Sequence, residues 1–128
     1  MKRAILFICV AIVAFFAVMI VVDYDHGGFQ ITIKNNLDKD VRHLSINYPG
    51  GPKVITVSAH STKRVHIVPD TRGEASIVLV YETGNGKQQA DIFGYIEPGY
   101  KGEAIIYIDS LKDNGELGLT VDEKLNVY

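Results

Sequence analysis

A chain of 128 residues, 47% apolar and 22% charged with a formal net charge of −2, has room for one domain around one core. Its 13 Lys and Arg and 15 Asp and Glu are interspersed rather than clustered, which excludes the basic stripe that a nucleic-acid partner requires. The single cysteine, Cys9, excludes an internal disulfide framework, so the domain must be held by its core alone.

The chain opens with Lys2 and Arg3, followed by 19 uncharged residues from Ala4 to Val22. As a helix this run reaches about 29 Å, close to the thickness of a hydrocarbon core. A cleaved secretory signal has a shorter core of about 7–15 residues and a small-residue exit. Here the exit is Met19, Ile20, Val21 and Val22, with no Ala-x-Ala, so an uncleaved signal anchor spanning residues 1–22 is expected. Basic residues before the run and Asp23 and Asp25 after it predict a cytoplasmic N-terminus and an extracellular domain. Cys9 follows Ile8, where a lipid-modified cysteine needs a small residue, and reads as an apolar filler in the helix. The linker, residues 23–28, reaches only about 20 Å at full extension and keeps the domain beside the bilayer.

From residue 29 the pattern has a period of two. Phe29, Ile31 and Ile33 alternate with Gln30, Thr32 and Lys34. Asn35-Asn36-Leu37-Asp38 supplies turn chemistry, and Leu44, Ile46 and Tyr48 form the next inward row. Val41 has the wrong parity for that row, which predicts a bulge at Arg42 and His43. Pro49-Gly50-Gly51-Pro52 marks a loop, after which Ile55 and Val57, then Val65 and Ile67, give two short strands. Ser76 to Tyr81 is apolar on both parities, as in a strand buried on both faces. Asn85-Gly86 is a strong hairpin signal, Gln88 to Ile96 is the return strand, and Glu97-Pro98-Gly99 ends it. Glu103 to Ile108, an Asp113-Asn114-Gly115 turn and Leu117, Leu119 and Val121 complete the set. About 7–8 strands with turns every 8–12 residues predict an all-β domain over 29–128, an immunoglobulin-like or fibronectin-like β-sandwich. The antibody core of Cys, Trp and Cys is missing, since the chain has no Trp.

Chemistry leaves little trace. His26, His43, His60 and His66 show no His-x-His or His-x-x-x-His spacing, and a metal site needs three or four converging ligands. Around Asp113-Asn114-Gly115-Glu116 a calcium loop would need carboxylates where Lys112 and Val121 stand. Asp38, Asp40 and Asp70 have no spacing that demands a cation. Ser58, Ser61, Ser76 and Ser110 lack a Gly-x-Ser-x-Gly elbow. Gly84-Asn85-Gly86 is followed by no helix to receive a phosphate. No catalytic, metal or cofactor residues are assigned, and no cofactor is expected.

Aromatic residues are the better lead. Phe93 and Tyr95 fall on the opposite parity from Ala90, Ile92 and Ile96, and Tyr107 opposes Ala104, Ile106 and Ile108. With Tyr100 they form a candidate interaction surface of Phe93, Tyr95, Tyr100 and Tyr107, since exposed aromatics offer large contact area at small entropic cost.

Three runs, ITIKNNLDKDVRHLSINY (31–48), ITVSAHSTKRVHIV (55–68) and IFGYIEPGYKGEAIIYI (92–108), resemble a group of uncharacterised small membrane-anchored surface proteins of Gram-positive bacteria. The first two also look like bacterial immunoglobulin-like modules. The resemblance rests on turns and alternation and implies no catalytic residue.

The expectation is thus a single-pass protein held in the bilayer through residues 4–22. Its outer domain is expected to be a non-catalytic binding or accessory module for another cell-envelope protein. Strand addition at Leu117–Val121 or at Phe29–Ile33 is the expected mode of contact. A membrane-held immunity protein against a secreted toxin, or a metal-binding or hydrolytic protein built on His43, His60 and His66, are the alternatives.

Overall fold

The structure, a computed structural model, describes residues 28–84 and 86–127. The expected anchor and most of its linker lie outside these residues. Among the described residues every regular element is a strand: β1 (Phe29–Asn35), β2 (Val41–Asn47), β3 (Lys53–Val57), β4 (Thr62–Ile67), β5 (Ala75–Thr83), β6 (Gly86–Ile96), β7 (Lys101–Leu111) and β8 (Leu117–Asn126). No helix there is long and apolar enough to cross a membrane.

The strands form two four-stranded sheets, ordered β4-β1-β7-β8 and β3-β2-β5-β6. Both contribute to one buried cluster, as the alternation requires. Ile31 and Ile33 of β1, Val65 and Ile67 of β4, and Ala104, Ile106 and Ile108 of β7 supply one side. Leu44, Ile46, Ile55, Val57, Ile77, Leu79 and Ile92 supply the other. Each fully buried Ile or Leu contributes roughly 1.5–3 kcal/mol, so the paired inner rows are what hold this disulfide-free domain together.

All pairings are antiparallel except β1 with β7, which run parallel from Phe29↔Gly102 to Asn35↔Ile108. In the constant-type immunoglobulin order the first two strands are neighbours in one sheet. Here β1 and β2 lie in different sheets. The two-sheet architecture stands; the connectivity differs, because β1 takes the centre of its sheet between β4 and β7.

Four register shifts interrupt the ladders, and two of them shape the inner rows most. Val41 pairs with Val57 and Leu44 with Ile55, leaving Arg42 and His43 opposite Thr56 alone, with His43 at a φ of 56°. The extra residue lets Val41 and Leu44 both point inward. In β6, Asp91 pairs with Val78 and Phe93 with Ile77, so Ile92 is the extra residue and both Ile92 and Phe93 are buried. Val78 and Val80 face away from the core on the central strand β5, and neighbouring side chains leave Val80 only 8% exposed.

Two amides stitch what the ladders do not. Asn35, the one buried polar residue among those described, is 1% exposed. Its Nδ2 donates to the carbonyls of Lys39 (2.9 Å), Val57 (3.1 Å) and Ser58 (3.1 Å), and its Oδ1 accepts from Leu37 N–H (3.0 Å). One side chain thus ties the β1–β2 turn to the end of β3. Gln88 of β6 reaches across to β8: its Nε2 donates to Leu117 O (2.8 Å) and its Oε1 accepts from Leu117 N–H (2.7 Å). That pair imitates a strand pairing and closes the corner between the two sheets.

Candidate interaction surface

The four predicted aromatics separate. Phe93 is 1% exposed and packs on Phe29 with ring centroids 4.8 Å apart, so it belongs to the core and not to a surface. The bulge at Ile92 is the cause, since one extra residue reverses the parity at Phe93, and a second shift between Phe93 and Ile96 restores it and leaves Tyr95 outside. Gly102 makes room for that ring. A Cβ there would lie 2.9 Å from Phe93 Cε1 and 3.0 Å from Lys124 O.

Tyr95 and Tyr100 do meet. Their rings stand edge to face with centroids 6.4 Å apart, and both hydroxyls turn to one carboxylate. Tyr95 O–H donates to Glu97 Oε1, and Tyr100 O–H to Glu97 Oε2 at 3.4 Å. The bond to Glu97 pushes the Tyr95 phenol up to about 12, helped by partial burial and by the charges of Glu97 and Glu74. A phenol that donates to a carboxylate resists losing its proton. The Tyr95 ring remains 46% exposed.

Tyr107 stands apart on the outer face of its sheet, roughly 20 Å along the strand from Tyr100. Its register partner is Lys34, whose Nζ lies 5.5 Å from the ring centroid, a cation–π contact at a half-exposed position. The continuous aromatic platform expected from parity is therefore a pair, Tyr95 and Tyr100, at one end of the sheets.

Edges decide which strands can receive a partner. β1 is paired on both sides, so Phe29–Ile33 is not an edge, which corrects that expectation. β8 is an edge strand paired only with β7, and Leu117–Val121 forms its first half. Along its inner row Leu117 is buried, Leu119 and Val121 are half-buried, and Leu125 is 36% exposed. The far half of β8 runs past the cover of the other sheet, with Asp122, Glu123, Lys124 and Asn126 all exposed.

The histidines are held individually. His60 Nε2 lies 2.6 Å from Asp38 Oδ1, and its backbone N–H donates to Leu37 O at 3.1 Å with a φ of 52°. His66 Nδ1 lies 3.1 Å from Gln30 Oε1 across the β1–β4 pair, and His43 sits in the β2 bulge. Asp40 accepts from Ala59 N–H at 2.9 Å, and Asp70 lies 4.0 Å from Arg72. Among the described residues no three His, Cys, Asp or Glu side chains gather closely enough to hold a metal ion.

Sequence parity misses the exposed apolar residues at the end where β1 begins. Val68 is 62% exposed and Val127 45% exposed, and a cleft of about 200 Å³ opens there between Phe29, Val68, Pro69 and Tyr100. Their signal in the sequence is weak, because each is a single apolar residue just beyond the alternating part of its strand.

No family model matches the chain, and no curated protein matches it. A solved structure described as the NMR structure of the protein from Eubacterium rectale is similar in part. It shares 14% identity over 75% of this chain and 89% of its own, with a TM-score of 0.49.

Proposed function

We propose that this chain is a membrane-anchored, non-catalytic binding or accessory module whose extracellular β-sandwich contacts another cell-envelope protein through the edge of β8. The observation that carries the reading is the state of that edge. β8 runs for ten residues with one side on β7, and its inner row passes from buried Leu117 to exposed Leu125. An added strand would pair with the backbone open beyond Leu117, whose own N–H and C=O Gln88 holds, and side chains of the partner would cover Leu119 and Val121. Natural edges are commonly guarded by Pro, a bulge or charged side chains, and on β8 the charges Asp122, Glu123 and Lys124 fall beyond Leu117–Val121. β8 contains no Pro, and its register with β7 is regular from Leu119 to Asn126.

The anchoring half of the reading rests on the sequence. The uncharged run 4–22 is long enough to span, Lys2 and Arg3 favour the cytoplasmic side, and the short linker holds the domain where membrane-bound partners are found.

A photo-cross-linking residue at Thr120 of β8, in the full chain in cells, tests the reading, with His66 on the opposite edge strand β4 as control. One dominant envelope-protein adduct from position 120 and none from 66 is the expected result. Equal labelling at both positions, or no adduct at 120, would refute β8 as the contact.

A further inference from the structure

Six large apolar side chains among the described residues are exposed: Val54, Val68, Tyr95, Leu111, Leu125 and Val127. Their distribution is lopsided. The pairs Phe29↔Ile67, Phe29↔Gly102 and Lys101↔Asn126 bring the start of β1, the end of β4, the start of β7 and the end of β8 to one end of their sheet. The pair Ala75↔Ile96 brings the end of β6 to that end as well, joined to β7 by Glu97–Tyr100. Val68, Tyr95, Leu125 and Val127 therefore cluster at the end where the chain enters β1. Val54, second residue of β3, is on an edge strand, and Leu111 closes β7 at the opposite end.

That entry end is also the end to which the apolar run 4–22 is tied, by a linker reaching only about 20 Å. From these two facts we infer that the entry end is a lipid-contacting surface, with Val68, Leu125 and Val127 seated at the headgroup boundary and Tyr95 beside them. The inference rests on the anchoring part of the reading above and adds a second, direct contact with the bilayer. The chemistry suits an interface. Aliphatic side chains enter the boundary region, and tyrosine rings are enriched at that depth with their hydroxyls in polar surroundings, as the Tyr95 and Tyr100 hydroxyls are at Glu97. Charge plays little part, because Arg72, Lys101 and Lys124 at this end are nearly matched by Asp70, Glu74, Glu97 and Glu103. Seating this end on lipid stands the strands upright and leaves the side of β8 open to a neighbour. Leu111, ten residues along β7 from Lys101, is then raised by about 33 Å.

The test uses the full chain, with Cys9→Ala, reconstituted into phosphatidylcholine vesicles. Single cysteines are introduced as Val68→Cys, Val127→Cys and Leu111→Cys and labelled with a small fluorophore. All three positions are exposed, so the labels leave the core untouched. Headgroup-nitroxide lipid is then added, and flotation of the vesicles is scored in parallel. The expected result is flotation, with several-fold stronger quenching at 68 and 127 than at 111, and no change when phosphatidylglycerol is included. Flotation with equal, weak quenching at all three sites would overturn the lipid contact and leave the anchor standing. Strong quenching at 111 would also overturn it, because the domain would then lie on its side. Failure to float would remove the anchor and this inference with it.

Discussion

Replacing Asn35 by Asp changes one NH2 into one oxygen at constant shape and asks how much of the fold hangs on that amide. Nδ2 faces three carbonyl oxygens at 2.9 to 3.1 Å, and the residue is 1% exposed. An ionised carboxylate there sets acceptor against acceptor without water to separate them. Losing a buried hydrogen-bond partner costs about 1–3 kcal/mol, and the charge adds to it. Asn35→Ala is therefore expected to lose about 2–3 kcal/mol, and Asn35→Asp at pH 7 more than that. The pH dependence separates the two. Burial among carbonyls raises the introduced carboxyl above its unfolded value near 3.9, so between these two values the folded state binds the extra proton. Stability of the Asp variant must then fall as pH rises through that window, and its deficit against the parent must be smallest in acid. Urea unfolding of the full chain in detergent, followed by circular dichroism, reads this as a lowered midpoint. With a slope of about 1–3 kcal/mol per molar, the shift is on the order of 1–3 M. An Asp variant as stable as the parent at pH 7, or one that gains on the parent as pH rises, would refute the role assigned to Asn35.

Gln88→Ala removes both bonds to Leu117 and is expected to cost about 1–3 kcal/mol, while Gln88→Glu keeps only the acceptor side. Thermal unfolding measures the loss, and faster exchange of the Leu117 amide proton locates it. Gly102→Ala drives a methyl into the Phe93 ring and the Lys124 carbonyl and is expected to destabilise by about 1–3 kcal/mol, read by the same melts. Glu97→Gln puts a weaker, neutral amide oxygen in place of the charged acceptor that holds the proton of Tyr95. Its phenol should return from about 12 toward the ordinary tyrosine value, seen as an earlier step in an ultraviolet titration. Because the folded value is raised, the Tyr95–Glu97 bond is intact below about pH 10 and is lost as pH climbs through the folded value.

The strands of this domain were legible because their inner faces are nearly pure. Phe29, Ile31 and Ile33, or Ala104, Ile106 and Ile108, admit one reading, and turn residues separate the runs. The bulge at Arg42 and His43 was legible too, since Val41 could reach the core in no other way. The bulge at Ile92 was hidden: with Ile92 and Phe93 adjacent, either parity gives a plausible inner face, and only the pairing with Ile77 decides. Strand order was out of reach for a related reason. Alternation reports which face is buried, not whether both edges of a strand are paired, so β1 and β8 look alike in sequence and differ in the sheet. Asn35 reads as a turn residue, and its role as a tie to Val57 and Ser58 depends on a strand pairing that local pattern does not carry.

The parallel pairing of β1 with β7 also sets the order in which this domain can assemble. Synthesis delivers β1 first among the strands and β7 next to last, yet they are partners at the centre of one sheet. β2 and β3, and β5 and β6, are neighbours in sequence and can zip as they emerge, and β4 can reach back to β1 early. The inner flank of β1 must wait for almost the entire chain. Such distant pairing gives a high contact order and places folding among the slow, millisecond-to-second domains. During that wait an open apolar strand is offered to any passing chain, and the interval between synthesis of β1 and closure by β7 is when this protein is most exposed to misassembly.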